Sequence, residues 1–344
     1  MSRFFAAAQS AAGDWTAARP SCRFRLATAP ISWAVQDQPD AAWEQPFEQV
    51  LDQMLAAGFA GTELGPYGYF PTDPARLRPA LEARHLALLS SFVPVPLAEP
   101  GAAAHVLAHV RRVSALLAAV GAHLIVIAGA QTPRRSKLAG RIPVDGRESL
   151  AVADWRRVGK LCAEVEAAAA EYGLSVVFHP HAGTFVETPA ETERLFDALS
   201  ATHIGLCLDT GHCVYGGGDP VEEAEKYGAV LRYVHVKDIN PRALARARRR
   251  GLDFPGAVAT GVFTPVGQGS IYFPSFFDAL RQQNYSGWLV VEQDVKFGQE
   301  DVQANMAASH AYLAALIAAA PPAEDEESRW PAAASPRSAP NAAS

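Results

Sequence analysis

Cysteine is scarce. The 344 residues hold four, Cys22, Cys162, Cys207 and Cys213, with no CxxC pair among them. That number and spacing exclude a disulfide-stapled secreted scaffold and point to a reducing, cytoplasmic compartment. No apolar run approaches the roughly 18 to 20 residues of a membrane span, and the patch around Phe4 to Ala8 is too short for a signal-peptide core, so a soluble chain is expected. Positive charge is not in excess either. Lys and Arg number 30 against 36 Asp and Glu, a formal net charge of -6, which disfavours nucleic-acid binding and leaves a small molecule as the expected partner. Nor does a GxGxxG motif follow the first strand, which argues against a doubly wound dinucleotide fold.

What is present is a large apolar fraction, 49%, sufficient for one sizeable core. Both ends depart from it. Residues 1–23 are rich in Ala and Ser, and 321–344 combine Pro, Ala and Ser with the acidic patch Glu324 to Glu327; such compositions cannot build a packed core, and both are expected to be disordered. The residues between, 24–320, read as one domain.

That domain is organised around Ile204-Gly-Leu-Cys-Leu-Asp209-Thr-Gly-His212, a buried apolar strand ending abruptly in an acid and an imidazole. Three other apolar runs end the same way. Leu174 to Phe178 delivers His179-Pro-His181, Leu231 to Val234 leads into His235, Val236, Lys237 and Asp238, and Trp288 to Val291 reaches Glu292, Gln293 and Asp294. In α/β folds the carboxyl ends of parallel strands build the active site.

Strands and helices alternate along the rest of the chain. Strands are expected at 24–29, near 61–65, and at 86–93, 123–128, 174–178, 204–208, 231–236 and 288–291. Helices are expected at 46–57, 73–84, 103–120, 154–172, 189–199, 220–226 and 273–283, with Thr188 as an N-cap and Glu191 in the first turn after it. Eight βα units predict an α/β fold of the single (β/α)8 TIM-barrel type. The long basic loop 129–148, with Arg134, Arg135, Lys137, Arg141 and Arg147, reads either as a binding loop or as a solvated charged stretch. His105 and His109 share a helix face, but no acid or cysteine accompanies them, so a surface or core role is expected.

Taken singly, His179, Asp209, His235 and Glu292 each have a plain structural explanation. As a set they read as a metal site, because ionisable groups directly after buried strands are costly unless paired or metal-bound, and imidazole with carboxylate suits a divalent ion. His181, His212, Lys237 and Asp238 are candidates to orient the ligands or handle protons.

The segments His179-Pro-His-Ala-Gly-Thr-Phe-Val-Glu-Thr188, Leu208-Asp-Thr-Gly-His212, His235-Val-Lys-Asp238 and Val290-Val-Glu292 together resemble the xylose-isomerase-like barrels, a superfamily of sugar isomerases, epimerases and endonuclease IV. Ala29-Pro-Ile-Ser-Trp33, Gly58 to Gly65 and the stretch from Arg246 through Gly269 make the chain most similar to the inosose dehydratase branch. The resemblance covers roughly residues 24 to 310. It implies a divalent metal, Mn or Co first and Zn, Mg or Fe as alternatives, held by His179, Asp209, His235 and Glu292. The pattern departs at one position: many relatives have Glu-Asn-His where this chain has His179-Pro-His181, so an imidazole replaces a carboxylate ligand, as it does in the dehydratase branch.

The resemblance implies dehydration of a cyclic keto-polyol, an inosose, through an enediolate. In that scheme Glu292, with Lys237, transfers the α proton, His181 or His212 protonates the departing hydroxyl, and Trp33 and Glu63 line the polyol pocket. The rival is a metal-dependent isomerase or epimerase of a keto-sugar, which uses the same ion and enediolate. An endonuclease-like repair enzyme requires several metals and a basic face, and a non-catalytic sugar-binding barrel is expected to have lost its ligands. Assembly into a homo-oligomer is left open.

Overall fold

β-branched runs and Ala- and Leu-rich helical stretches alternate in the computed structural model, which describes residues 24–36, 43–296, 298 and 300–319. The two ends whose composition predicts disorder lie outside these residues. The strands are β1 Phe24–Thr28, β2 Gly61–Thr62, β3 Ala87–Leu88, β4 Phe92–Val95, β5 Leu124–Gly129, β6 Ser175–Phe178, β7 Gly205–Asp209, β8 Leu231–Val236, β9 Asp238–Ile239, β10 Phe263–Thr264 and β11 Gly287–Val291. Nine form a parallel sheet in the order β3-β2-β1-β11-β8-β7-β6-β5-β4, and β9 and β10 make a small antiparallel ribbon outside it.

The sheet closes through its third strand. β3 and β4 are two parts of one bent strand, interrupted at Leu89 to Ser91. The Leu64 amide donates to Ser90 O on one side (2.9 Å), and the Val126 amide donates to Ser91 O on the other (3.0 Å). The result is the expected eight-stranded barrel with one strand broken. Pro94, which has no N–H to give, falls in β4, the part that pairs only with β5.

Each strand is followed by an outer helix: Phe47–Ala56, Pro74–Glu82, Ala103–Val120, Val152–Ala170, Pro189–Ala198, Pro220–Tyr227, Phe273–Gln282 and Val302–Ala318. The expected helix boundaries hold to within about two residues. Ala103–Val120 is long and apolar enough to cross a membrane by length and composition, which the sequence reading did not register; here Val106, Val110, Val113 and Leu117 pack it into the core. Ala27, Val126, Val177, Cys207, Tyr233 and Val290 fill the barrel interior, while a larger apolar cluster lies between strands and helices.

Thr188 caps its helix as expected. Its hydroxyl accepts from the Glu191 amide while the Glu191 carboxylate accepts from the Thr188 amide, a reciprocal capping box. The basic loop is not simply solvated. It contains a short helix, Pro133–Leu138, whose fully buried Arg135 makes a two-pronged contact with Glu191 at 2.9 and 2.8 Å. His105 is exposed, and His109 packs against Tyr67; neither belongs to a potential metal-binding group among the described residues.

Candidate metal centre and active site

Strand pleating places the key side chains. Successive residues face opposite sides of a strand, so a donor two positions beyond an inward-facing core residue also faces inward. Val177, Cys207, Tyr233 and Val290 belong to the interior cluster, and two residues further on stand His179, Asp209, His235 and Glu292. Register brings them level: Asp209 pairs with His235 across β7 and β8, and the Glu292 amide donates to Val236 O at 3.0 Å. Another two residues on, His181, Lys237 and Asp294 form a second tier. Asp209 also caps the short helix Thr210–Tyr215, accepting from the His212 amide at 2.8 Å, which fixes His212 beside it.

The four expected ligands converge. His179 Nε2 lies 3.3 Å from Asp209 Oδ2, and His235 Nδ1 lies 3.9 Å from Asp209 Oδ2 and 3.4 Å from Glu292 Oε2. The Lys237 ammonium is 2.7 Å from Glu292 Oε2, 3.2 Å from Asp209 Oδ2 and 3.4 Å from Asp294 Oδ1. His179, Asp209, His212, His235, Lys237, Glu292 and Asp294 are all buried. His181 is half-buried.

These neighbours set the charges. Burial alone would raise the Asp209 and Glu292 carboxyls, but Lys237 acts on both, with His212 and His179 at Asp209 and His235 at Glu292, and both are held well below the usual carboxylate range. Burial pushes the His179 and His212 imidazoles down and brings His181 to about 3, so these three rings are neutral. At His235 burial is opposed by Cys207, Glu292 and Glu63, which hold it above the ordinary histidine range. Burial likewise opposes the Lys237 charge, but Asp209, Asp294 and Glu292 outweigh it.

The donor set fits a divalent ion. Nδ1 of both His179 and His235 is buried without a hydrogen-bond partner, an expensive arrangement for a polar nitrogen unless something else satisfies it. At His235 the other nitrogen, Nε2, meets Glu63 Oε1 at 3.0 Å, an outer carboxylate of the kind that orients a metal-binding imidazole. Nitrogen and oxygen donors in this mixture suit Mn, Fe, Co or Zn.

Two expected roles change. Glu63 does not line an open pocket: it is buried behind His235, with Oε1 also accepting from Ser90 Oγ at 2.8 Å. Asp238 does not orient the ligands; it accepts from the amides of Ile239, Gly267, Gly269 and Ile271 and so pins the loop after β10. Trp33 is buried in the turn Pro30–Trp33, its indole N–H without an acceptor among the described residues. Sequence reasoning missed Cys207, which can group with His179 and His235, and the aromatic cover over His212 made by Phe254 and Phe263. Cys207 was legible as the residue two before Asp209; the cover was not, because it comes from β10 and the short helix Phe254–Val258 before it.

A closed parallel barrel with imidazole and carboxylate donors at the ends of its strands defines a class, and comparison with known proteins agrees. The chain belongs to the xylose-isomerase-like TIM-barrel family, whose model matches residues 51–316. It is 34% identical over 296 residues to the rhizopine catabolism protein MocC of Rhizobium meliloti, covering 86% of this chain and 89% of that one. It is 35% identical over 279 residues to the inosose dehydratase of Geobacillus kaustophilus, covering 79% and 87% respectively. Among solved structures, an L-ribulose 3-epimerase superposes with a TM-score of 0.64 at 17% identity, covering 86% of this chain and 94% of that one. An IOLI protein with a bound zinc atom gives 0.62 at 14% identity, covering 86% and 98%. At such identities these two share the fold.

Proposed function

We propose that this protein is a metal-dependent hydro-lyase that dehydrates a cyclic keto-polyol, 2-keto-myo-inositol (scyllo-inosose), to a trihydroxycyclohexanedione in inositol catabolism. The observation that carries the reading is the division of the site into two parts. His179, Asp209, His235 and Glu292 are linked by contacts of 3.3 to 3.9 Å, and beside them stand two neutral imidazoles, His181 and His212, of which His212 also lies close to His179 and Asp209. Dehydration needs both: one part to stabilise the enediolate, and another to manage the proton and the departing hydroxyl. Relatives of which the chain covers most, several of them inosose dehydratases, support the same reading.

A divalent ion, Mn or Co first and Zn, Mg or Fe as alternatives, would be held by the four ligands and would polarise the ketone oxygen. Glu292 and Asp209 stay ionised against Lys237, which makes Glu292 a weak base and a better ligand than proton carrier. Lys237 balances the carboxylates and Glu63 orients His235. A cytoplasmic setting belongs to the proposal, since Cys162, Cys207 and Cys213 are unpaired.

The test is to supply metal-reconstituted protein with scyllo-inosose and with a panel of ketoses, following conjugated dione by absorbance and epimers by NMR. Dione from the inosose is expected. A new epimer without loss of water would transfer the assignment to the isomerase and epimerase reading.

A further inference from the structure

His181 and His212 stack with ring centroids 3.8 Å apart and planes inclined by 35°. The backbone of Ala182 touches both. Its carbonyl oxygen lies 2.8 Å from His181 Nδ1, and its amide donates to His212 Nδ1 at 3.2 Å. A carbonyl can only accept and an amide N–H can only donate, so both contacts are unambiguous. His181 therefore carries its hydrogen on Nδ1 and keeps a lone pair on Nε2. His212 offers its lone pair at Nδ1, and as a neutral ring carries its hydrogen on Nε2.

One neighbour competes with this assignment. Lys237 Nζ lies 3.3 Å from His212 Nε2, a contact that would favour a lone pair there if the ammonium had a hydrogen to spare. The ammonium donates to Glu292 Oε2 at 2.7 Å and stands 3.2 Å from Asp209 and 3.4 Å from Asp294, so three carboxylates compete with the His212 ring for its three hydrogens. His212 Nε2 also faces Asp294 Oδ2 at 3.9 Å.

We infer that Ala182 locks the two stacked rings in opposite tautomers, making His181 the ring that carries the substrate proton and His212 a fixed neutral hydrogen-bond donor. The inference rests on the dehydratase reading for its chemistry and on the backbone contacts alone for its geometry. In the reaction, His181 Nε2 takes the proton α to the ketone, and the C–H electron pair becomes the double bond of the enediolate. The ketone then re-forms and the β C–O bond breaks, its pair leaving with the oxygen. That oxygen takes the proton back from His181 Nε2 and departs as water. His212 Nε2–H donates a hydrogen bond to a substrate oxygen and keeps its hydrogen throughout, because its other nitrogen faces an N–H and cannot be protonated. The half-exposed position of His181, against the burial of His212, favours the same division.

Nitrogen-15 NMR of histidine-labelled full-length protein, metal-stripped and zinc-loaded, tests the geometry without reference to activity. The two rings are assigned by the signals lost in His181→Gln and His212→Gln. The expected result is a hydrogen on Nδ1 of His181 and on Nε2 of His212; the same tautomer in both rings, or a hydrogen on His212 Nδ1, overturns the inference. A second arm follows loss of the α proton of scyllo-inosose to D2O. His181→Gln should lower exchange and dehydration together by about 100-fold to 10,000-fold. His212→Gln, whose amide still donates, should lower exchange by no more than on the order of tenfold. Equal losses would refute the division of roles. Wild-type protein that neither exchanges nor dehydrates the inosose would refute the dehydratase reading instead, leaving the tautomers to the spectrum.

Discussion

The Lys237 ammonium lies 2.7 Å from Glu292 Oε2, inside the ring of groups that would hold a divalent ion. Lysine and metal thus answer to the same carboxylates. Lys237→Met should leave Asp209, Glu292 and Asp294 uncompensated and destabilise the metal-stripped protein by about 3–5 kcal/mol, the usual cost of breaking a buried pair from one side. Added divalent metal should restore much of the loss. Thermal unfolding of variant and wild type, with chelator and with metal, decides it; a variant as stable as wild type in chelator would mean that Lys237 does not balance these charges.

His179→Ala separates ligand from proton carrier. Loss of a ligand should leave a more labile ion, so bound metal and activity should fall together. Elemental analysis after dialysis gives the count. A variant that keeps full metal while losing turnover would remove His179 from the ligand set and make His181 the one to test.

The Arg135 and Glu191 pair is 0% and 4% exposed at its side chains and joins the basic loop to the helix after β6. Removing one partner strands a buried charge, so Arg135→Met should cost about 3–5 kcal/mol in urea denaturation. Arg135→Lys should recover only part of this, because an ammonium cannot make the two-pronged contact. An unchanged midpoint in both variants would contradict the structural role given to the pair.

Burial pushes the Glu223 carboxyl from 4.5 up to about 7; Lys226 opposes the rise, and Glu222 and Glu193 add to it. The folded protein therefore binds this proton more tightly than the unfolded chain. Its contribution to stability is fully present below about pH 4.5 and is lost as pH rises through about 7. Glu223→Gln should flatten the fall in melting temperature across that window relative to wild type. Parallel curves would show that Glu223 keeps an ordinary affinity for its proton.

The donors were legible because a two-residue alternation carries each apolar strand into its ligand, as in Cys207 to Asp209 or Tyr233 to His235. The break in the third strand was not: Ser90 and Ser91 sit in an apolar run, and their carbonyls are drawn to neighbours on opposite sides by barrel closure rather than by local preference. The position of Glu63 was hidden for a similar reason, since its partner His235 lies 172 residues away. The segment between β9 and β10 holds the helix Pro241–Arg250, which was not among the expected helices; the packing of Ala243, Leu244 and Ala247 gives it a place.

The bent third strand also bears on how the site comes into being. All four proposed ligands lie beyond residue 178, on strands of the second half of the chain, whereas the groups that steady them, Glu63 and the Ser90 hydroxyl, lie in the first. A growing chain that has made β1 through β5 has the support and none of the ligands. The last strand, β11, must slot between β8 and β1 before Glu292 can face His235. Metal uptake should therefore come after the barrel has joined its ends, and a bound ion would record completed folding rather than seed it.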